Sequence, residues 1–278
     1  MLKIENTKVV GFEEAIRGMR NPMNSWNKSD SYNTYIVDEQ TQEAAPYEFF
    51  LGEKDHDLAM RLASGGPVHG KYKRMIIVYC DITAPLYWWK EFDTYKVGTV
   101  ANSCSTMHKI HAKEFTLEDF SHEHLFNRAD LLDPKQRLFD PEHDVALSAV
   151  NVNGDRCYFT AEGFMKMTCD ILNNYREKFL ETNDKRYWWQ MIQLLPSSYN
   201  QRRTVMMNYE VLTNIYNSRR DHKLDEWHTL CDWIEQLPDS DLIIGEREGQ
   251  MVKKVVKKDE MVVPYVKVDE CRDFETDV

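Results

Sequence analysis

Asn102, Ser103, Cys104, Ser105 and Thr106 are consecutive small residues carrying an amide, hydroxyls and a thiol. So close together, they offer several hydrogen-bond donors to one ligand group. With Lys90, Lys96 and Lys109 in the same stretch, they could hold a phosphate. A second set lies in residues 201–219, whose pattern reads as one long helix. There Asn208, Leu212, Ile215 and Arg219 are spaced 4, 3 and 4 apart. At about 100° per residue they share one stripe, with an amide at one end and a guanidinium at the other. Asn both donates and accepts, which suits a heterocycle edge, whereas Arg suits a phosphate or carboxylate. An amphipathic helix with polar ends accounts for the same spacing.

Other groups carry weaker signals. His108, His111, His122 and His124 fall close together around Glu123, but their spacings match no standard zinc pattern, and a solvated loop is the simpler account. Cys104 with His108 four residues on could form a thiol–base pair, although a packed small Cys explains it as well. The pairs Trp88-Trp89 and Trp188-Trp189 could stack on a flat ring, but their helical context favours the core. The Lys-rich stretch 253–258, interleaved with Val, fits an edge strand better than a nucleic-acid patch.

The elements that must position these residues follow from the chain as a whole. Its 278 residues, 42% hydrophobic and 12% aromatic, suit one large folded core or two small ones. A formal net charge of −11 argues against nucleic acid as a partner. No apolar run reaches the roughly 20 residues that span a bilayer. The start carries no signal-peptide pattern and the six Cys include no C-x-x-C pair, so reduced, mostly buried thiols in a cytoplasmic protein are expected.

Residues 8–12 read as a strand entering a helix at 13–19, and 21–46 as a surface loop. A helix at 55–63, with Leu58 and Leu62 one turn apart, stops at Gly65-Gly66-Pro67. Residues 73–82 read as a buried strand broken by Pro85, and 86–95 as a helix. Residues 126–155 form an insertion. Phe164, Met167, Ile171, Tyr175 and Phe179 predict the inner stripe of a helix at 161–180. Helices at 186–195 and 224–237 follow. The fold class is α+β, with an antiparallel or mixed sheet flanked by long helices. Residues 1–238 make one domain and 239–278 a charged β-type extension.

Two separated stretches resemble the flavin-dependent thymidylate synthase family. His69 precedes Val78-Tyr79-Cys80-Asp81-Ile82-Thr83-Ala84-Pro85-Leu86, which is similar to the family's Gly-His turn, strand and Pro-Ile step. Lys90-Glu91-Phe92 stands where the family has Arg-Gln-Trp, and Thr94-Tyr95-Lys96 where it has Arg-His-Arg. Asn102-Ser103-Cys104-Ser105-Thr106-Met107 resembles Asn-Glu-x-Ser-x-Arg. Leu195, Pro196, Asn208, Leu212, Asn214 and Arg219 match the family's C-terminal motif at its own spacing.

The resemblance covers roughly residues 55–237 outside the insertion. It implies a homotetramer using FAD, deoxyuridine monophosphate (dUMP), methylene-tetrahydrofolate and NADPH. It implies that Asn208 and Asn214 bond the flavin, with Lys90, Tyr95, Lys96, His69 and Lys223 near it, and that Arg219, Ser105, Asn102 and Glu91 bind the nucleotide. No protein nucleophile is implied. The chain also departs from the family: Thr94 and Tyr95 carry no charge, Ser103 replaces a Glu, Met107 replaces an Arg, and Glu210 reverses a helix Arg. Two functions are therefore expected as alternatives: reductive methylation of a pyrimidine nucleotide, or a nucleotide-binding scaffold without flavin chemistry.

Overall fold

The computed structural model describes residues 2–34, 48–126, 147–150 and 156–245. In chain order its elements are β1 (Lys3–Val10), α1 (Phe12–Met19), β2 (Tyr32–Thr34), β3 (Glu48–Phe50), α2 (Glu53–Ser64), β4 (Ile77–Pro85), α3 (Leu86–Phe92), β5 (Val100–Ser103), α4 (Thr106–Lys109), β6 (Leu147–Val150), β7 (Arg156–Phe159), α5 (Ala161–Thr182), α6 (Lys185–Leu194), β8 (Asn200–Asn208), α7 (Tyr209–Arg219), α8 (Asp225–Glu235) and α9 (Asp241–Ile244). The α+β class expected from sequence is the class observed. The chain divides into two compact units.

The first unit comprises Met1–Lys8, Tyr79–Met207 and Arg219–Trp233. Its sheet has the strand order β1-β4-β8-β5, and β5 pairs antiparallel with β8, Asn102 opposite Thr204. Strand alternation sends Cys80, Ile82, Ala84, Val205 and Met207 inward, while Tyr79, Arg202 and Thr204 stay exposed. On the exposed face, Asp81 accepts hydrogen bonds from Thr204, Arg202 and Asn6, and these hold its carboxyl well below the usual carboxylate range. Trp88, Trp89, Phe92 and Trp227 are buried together, with Trp88 and Trp227 centroids 4.8 Å apart. Fully burying rings of this size contributes about 2 kcal/mol or more each. A separate cluster under α5 and α6 is built from Ile110, Phe115, Phe120, Cys169, Leu172 and Met191.

The second unit comprises Val9–Val78, Asn208–Ser218 and the chain from Ile234. α1, α2, α7 and α9 bury Ala15, Ile16, Ala59, Leu212, Ile215 and Leu242. Asp55 is fully buried at the start of α2 and accepts from Arg20, Ser29 and Ser31. Burial pushes its carboxyl up, but those hydrogen bonds together outweigh burial and hold it below the ordinary value.

Several expected elements are corrected. Residues 200–208 are strand, not the first half of a helix, because Gln201, Val205 and Met207 are buried on a two-residue period while Arg202 and Thr204 point out. The strand expected at 73–82 begins at Ile77, after a 3-10 turn over Gly70–Met75. On α5 the deepest residues are Cys169 and Leu172, whereas Phe164 and Ile171 of the expected inner stripe are exposed. The helix expected at 55–63 is α2, which buries Asp55, Ala59 and Met60 and leaves Leu58 and Leu62 half-buried. The loop expected at 21–46 contains 3-10 turns and β2, which pairs with β3. Within 126–155, Leu147–Val150 forms β6, paired with β7. Residues 127–146 and 151–155 of that insertion, and the Lys/Val-rich stretches after residue 246, lie outside the described residues.

Candidate nucleotide and flavin site

Arg219 closes α7 and is the centre of a cluster in the first unit. Its Nε donates to the Tyr95 hydroxyl at 2.9 Å and its Nη1 to Glu91 Oε2 at 2.9 Å. Its guanidinium lies 4.7 Å from the Trp227 ring centroid, a cation–π contact. Glu91, on α3, also accepts from Trp227 Nε1 at 3.0 Å and sits 3.4 Å from His222 Nε2. Helices carry three members of the cluster, Glu91 on α3, Arg219 on α7 and Trp227 on α8, while Tyr95 and His222 lie in the loops after α3 and α7. The aromatic faces lower the local dielectric, so the ion pair is stronger here than in open water.

The second unit gathers a different set. Asn208 is buried, and its Oδ1 accepts from Val211 N at 2.9 Å, capping the first turn of α7. The stripe expected from Asn208 to Arg219 therefore exists, but its apolar middle, Leu212 and Ile215, is fully buried. Asn214 stands on the exposed side of α7. Glu210 and Thr213, one turn apart on that helix, meet the 3-10 turn: Arg74 donates to Glu210 through Nε and Nη2, and Lys73 Nζ donates to Thr213 Oγ1 at 3.0 Å. Lys73 is only 7% exposed. Burial lowers its pKa, and the nearby charge of Glu210 partly restores it.

The remaining expected residues are placed as follows. Lys90, Lys96, Asn102, Lys223 and His69 are exposed. Ser105 caps α4, accepting from His108 N at 3.2 Å and pairing with His108 Nδ1 at 2.8 Å. That contact, rather than Cys104, takes the His108 ring. His111 packs edge-on against Phe179, His122 Nδ1 meets Phe120 O, and His124 pairs with Asp225. Among the described residues no three potential ligands converge on a metal position. Trp88 and Trp89 are core, but Trp189 is 42% exposed. Cys80, Cys169 and Cys231 are buried, and Cys104 is exposed. Among the described residues no helix is long and apolar enough to cross a membrane.

Sequence reasoning missed Lys73, Arg74 and Trp227 as site candidates. Lys73 and Arg74 were assigned to a strand, and their partners lie 140 and 136 positions away. Trp227 was read as core, which it is, but its ring N–H also reaches Glu91.

No family model matches the chain, and no curated protein sequence aligns with it. Solved structures do. A crystal structure of the flavin-dependent thymidylate synthase ThyX from Helicobacter pylori with FAD and dUMP matches with a TM-score of 0.54 and 16% identity, over 87% of this chain and 96% of that one. A second structure of that enzyme with the same ligands matches with a TM-score of 0.53 and 16% identity, over 86% and 96%. The chain therefore has a fold like that of flavin-dependent thymidylate synthases.

Proposed function

We propose that the protein is a flavin-dependent pyrimidine-nucleotide methylase, converting dUMP or a close relative by reductive C5-methylation with methylene-tetrahydrofolate and NADPH. The single observation that carries this is Arg219, positioned by Glu91, Tyr95 and Trp227 at the motif position where the family holds its nucleotide. The similar fold, in proteins crystallised with FAD and dUMP, supports the same reading.

FAD, when bound, would supply the hydride. Lys73 fits an anionic group: among the described residues its buried ammonium donates to one neutral hydroxyl, that of Thr213, with Glu210 as a nearby charge, and a phosphate would further offset its burial. Arg74 would add charge beside it, and exposed Asn214 an amide contact. Lys90, Tyr95, Lys96, His69 and Lys223 would flank the cofactor, and Ser105 and Asn102 would contact the nucleotide. Asn208, as the cap of α7, would act chiefly by holding that helix in place. The protein's contribution is orientation and electrostatics, with no covalent nucleophile. Assembly as a homotetramer and a cytoplasmic location belong to the same proposal.

A second reading has its own support. Thr94, Tyr95 and Met107 stand where the family carries charge, and Glu210 already engages Arg74. A protein so changed would bind a nucleotide without turning it over. The deciding experiment incubates the purified chain with FAD, NADPH, methylene-tetrahydrofolate and dUMP, and looks for thymidylate by mass spectrometry. Product formation supports the enzyme. Nucleotide binding with no product supports the scaffold.

A further inference from the structure

Within the second unit, α1 and the β2–β3 pair enclose a cavity of about 240 Å³. Glu13, Arg17 and Arg20 line it from one face of α1, at spacings of 4 and 3. Trp26, Tyr32 and Phe49 line it with rings. Trp26 and Tyr32 are 49% and 50% exposed, so both rings keep surface that the fold does not cover. Each is nevertheless held: Trp26 Nε1 donates to Asn21 Oδ1 at 2.8 Å, and Tyr32 stacks on Phe50.

Most polar groups around the cavity are already spent. The Ser29 and Ser31 hydroxyls donate to Asp55, and Arg20 donates to Asp55 through Nε and to Ser25 O through Nη1. Asp55 thus answers the charge of Arg20. Two groups remain. Asn33 gives Nδ2 to Glu13 Oε2 at 3.2 Å, and an acceptor-only partner fixes which end of the amide is which. Its Oδ1 is then a buried acceptor that takes a bond from none of the described residues. Arg17 is exposed, and among the described residues it pairs with no carboxylate.

From these groups we infer that the cavity binds a free aromatic α-amino acid. Its ammonium, with three donors and no acceptor, suits Asn33 Oδ1 and the Glu13 carboxylate bonded to the same amide. Its carboxylate suits the Arg17 guanidinium. Side chains one helical turn apart, as Glu13 and Arg17 are, stand about 5–6 Å from each other at Cβ, a span that the two charged groups on one α-carbon can bridge. A flat side chain suits the rings of Trp26 and Tyr32. The charges of Glu13, Arg17, Arg20 and Asp55 cancel, which favours a zwitterion over a net anion or cation. The volume falls below the roughly 300 Å³ at which sites for drug-sized ligands begin, as a smaller ligand requires. Every lining residue precedes residue 55, and none is among the flavin or nucleotide residues proposed above.

The test is a calorimetric titration of the full chain with L-tryptophan, L-tyrosine and L-phenylalanine. Two analogues accompany them: tryptophanamide, which lacks the carboxylate, and indole-3-propionate, which lacks the ammonium. At least one of the three amino acids is expected to bind. Tryptophan should bind at least about tenfold more tightly than either analogue, as the loss of one charged hydrogen bond implies. Arg17→Gln and Trp26→Ala change exposed side chains, so both variants are expected to keep the wild-type circular dichroism spectrum. Arg17→Gln should weaken amino-acid binding by about fivefold or more and leave the affinity for tryptophanamide unchanged. Trp26→Ala should weaken amino acid and amide alike. Failure of all three amino acids to bind the wild-type chain would overturn the inference, as would wild-type affinities unchanged in both variants. Tryptophanamide binding as tightly as tryptophan would overturn it in favour of a peptide N-terminus.

Discussion

Arg219 and Arg74 each meet a single carboxylate, yet the two pairs are built differently. Arg219 is half-buried, stacked on Trp227, and bonded to both Tyr95 and Glu91. Arg74 is 54% exposed and meets Glu210 in a fork at the surface of its own unit. Beside Arg74 sits Lys73, buried, whose ammonium donates to the Thr213 hydroxyl and feels the charge of Glu210. The first arrangement is charge-balanced, with the guanidinium held by a carboxylate, a hydroxyl and a ring face. The second has a cation to spare, suited to an anion.

Acid is expected to have the largest effect, because it acts on both units. Asp55 and Asp81 have folded values below their unfolded ones. Each therefore stabilises the fold above the unfolded carboxylate value of about 3.9 and loses that contribution as pH falls through its folded value. Circular dichroism against pH should show stability level near neutrality and falling below about pH 4. A loss of stability that begins near pH 6 would point to histidines instead.

Arg219→Ala comes next. It leaves Glu91 facing Trp227 and His222 without its cation and should cost about 2 kcal/mol in denaturant unfolding, reduced from the fully buried case by partial exposure. Nucleotide binding should be lost as well. If stability is unchanged, the aromatic cluster does not depend on the ion pair.

Asn208→Ala removes the cap of α7 and should cost about 1 kcal/mol. Asn214→Ala, on the exposed side of the same helix, should leave the melting temperature within about a degree while weakening flavin binding. Equal behaviour of the two mutants would contradict the division between a structural and a ligand-facing amide. Smallest of all, Glu210→Gln should shift stability by less than about 0.5 kcal/mol, since exposed ion pairs contribute little.

Much of this was legible in the sequence, and the failures have physical causes. The helix after Pro85 showed itself through Trp88, Trp89 and Phe92, whose spacing matches their burial. The α7 motif was visible in spacing alone, but its start was misplaced: in Arg202 to Met207 polar and apolar residues fit a two-residue or a helical period about equally, and only pairing with β5 decides for strand. The inner face of α5 was misjudged because Phe164 and Ile171 are as hydrophobic as the residues that are buried. Glu91 and Arg219 were legible as residues, through the family resemblance, but not as a pair 128 positions apart. Lys73 and Arg74 gave no local signal, because what distinguishes them is a helix that arrives more than 130 residues later.

The most direct measurement is an absorbance spectrum of the freshly purified protein after gel filtration, repeated on adding FAD and then dUMP. Flavin bands that elute with the protein, and shift when dUMP is added, are the predicted result. A colourless protein whose added FAD elutes separately, with or without nucleotide, would contradict the flavin-dependent account.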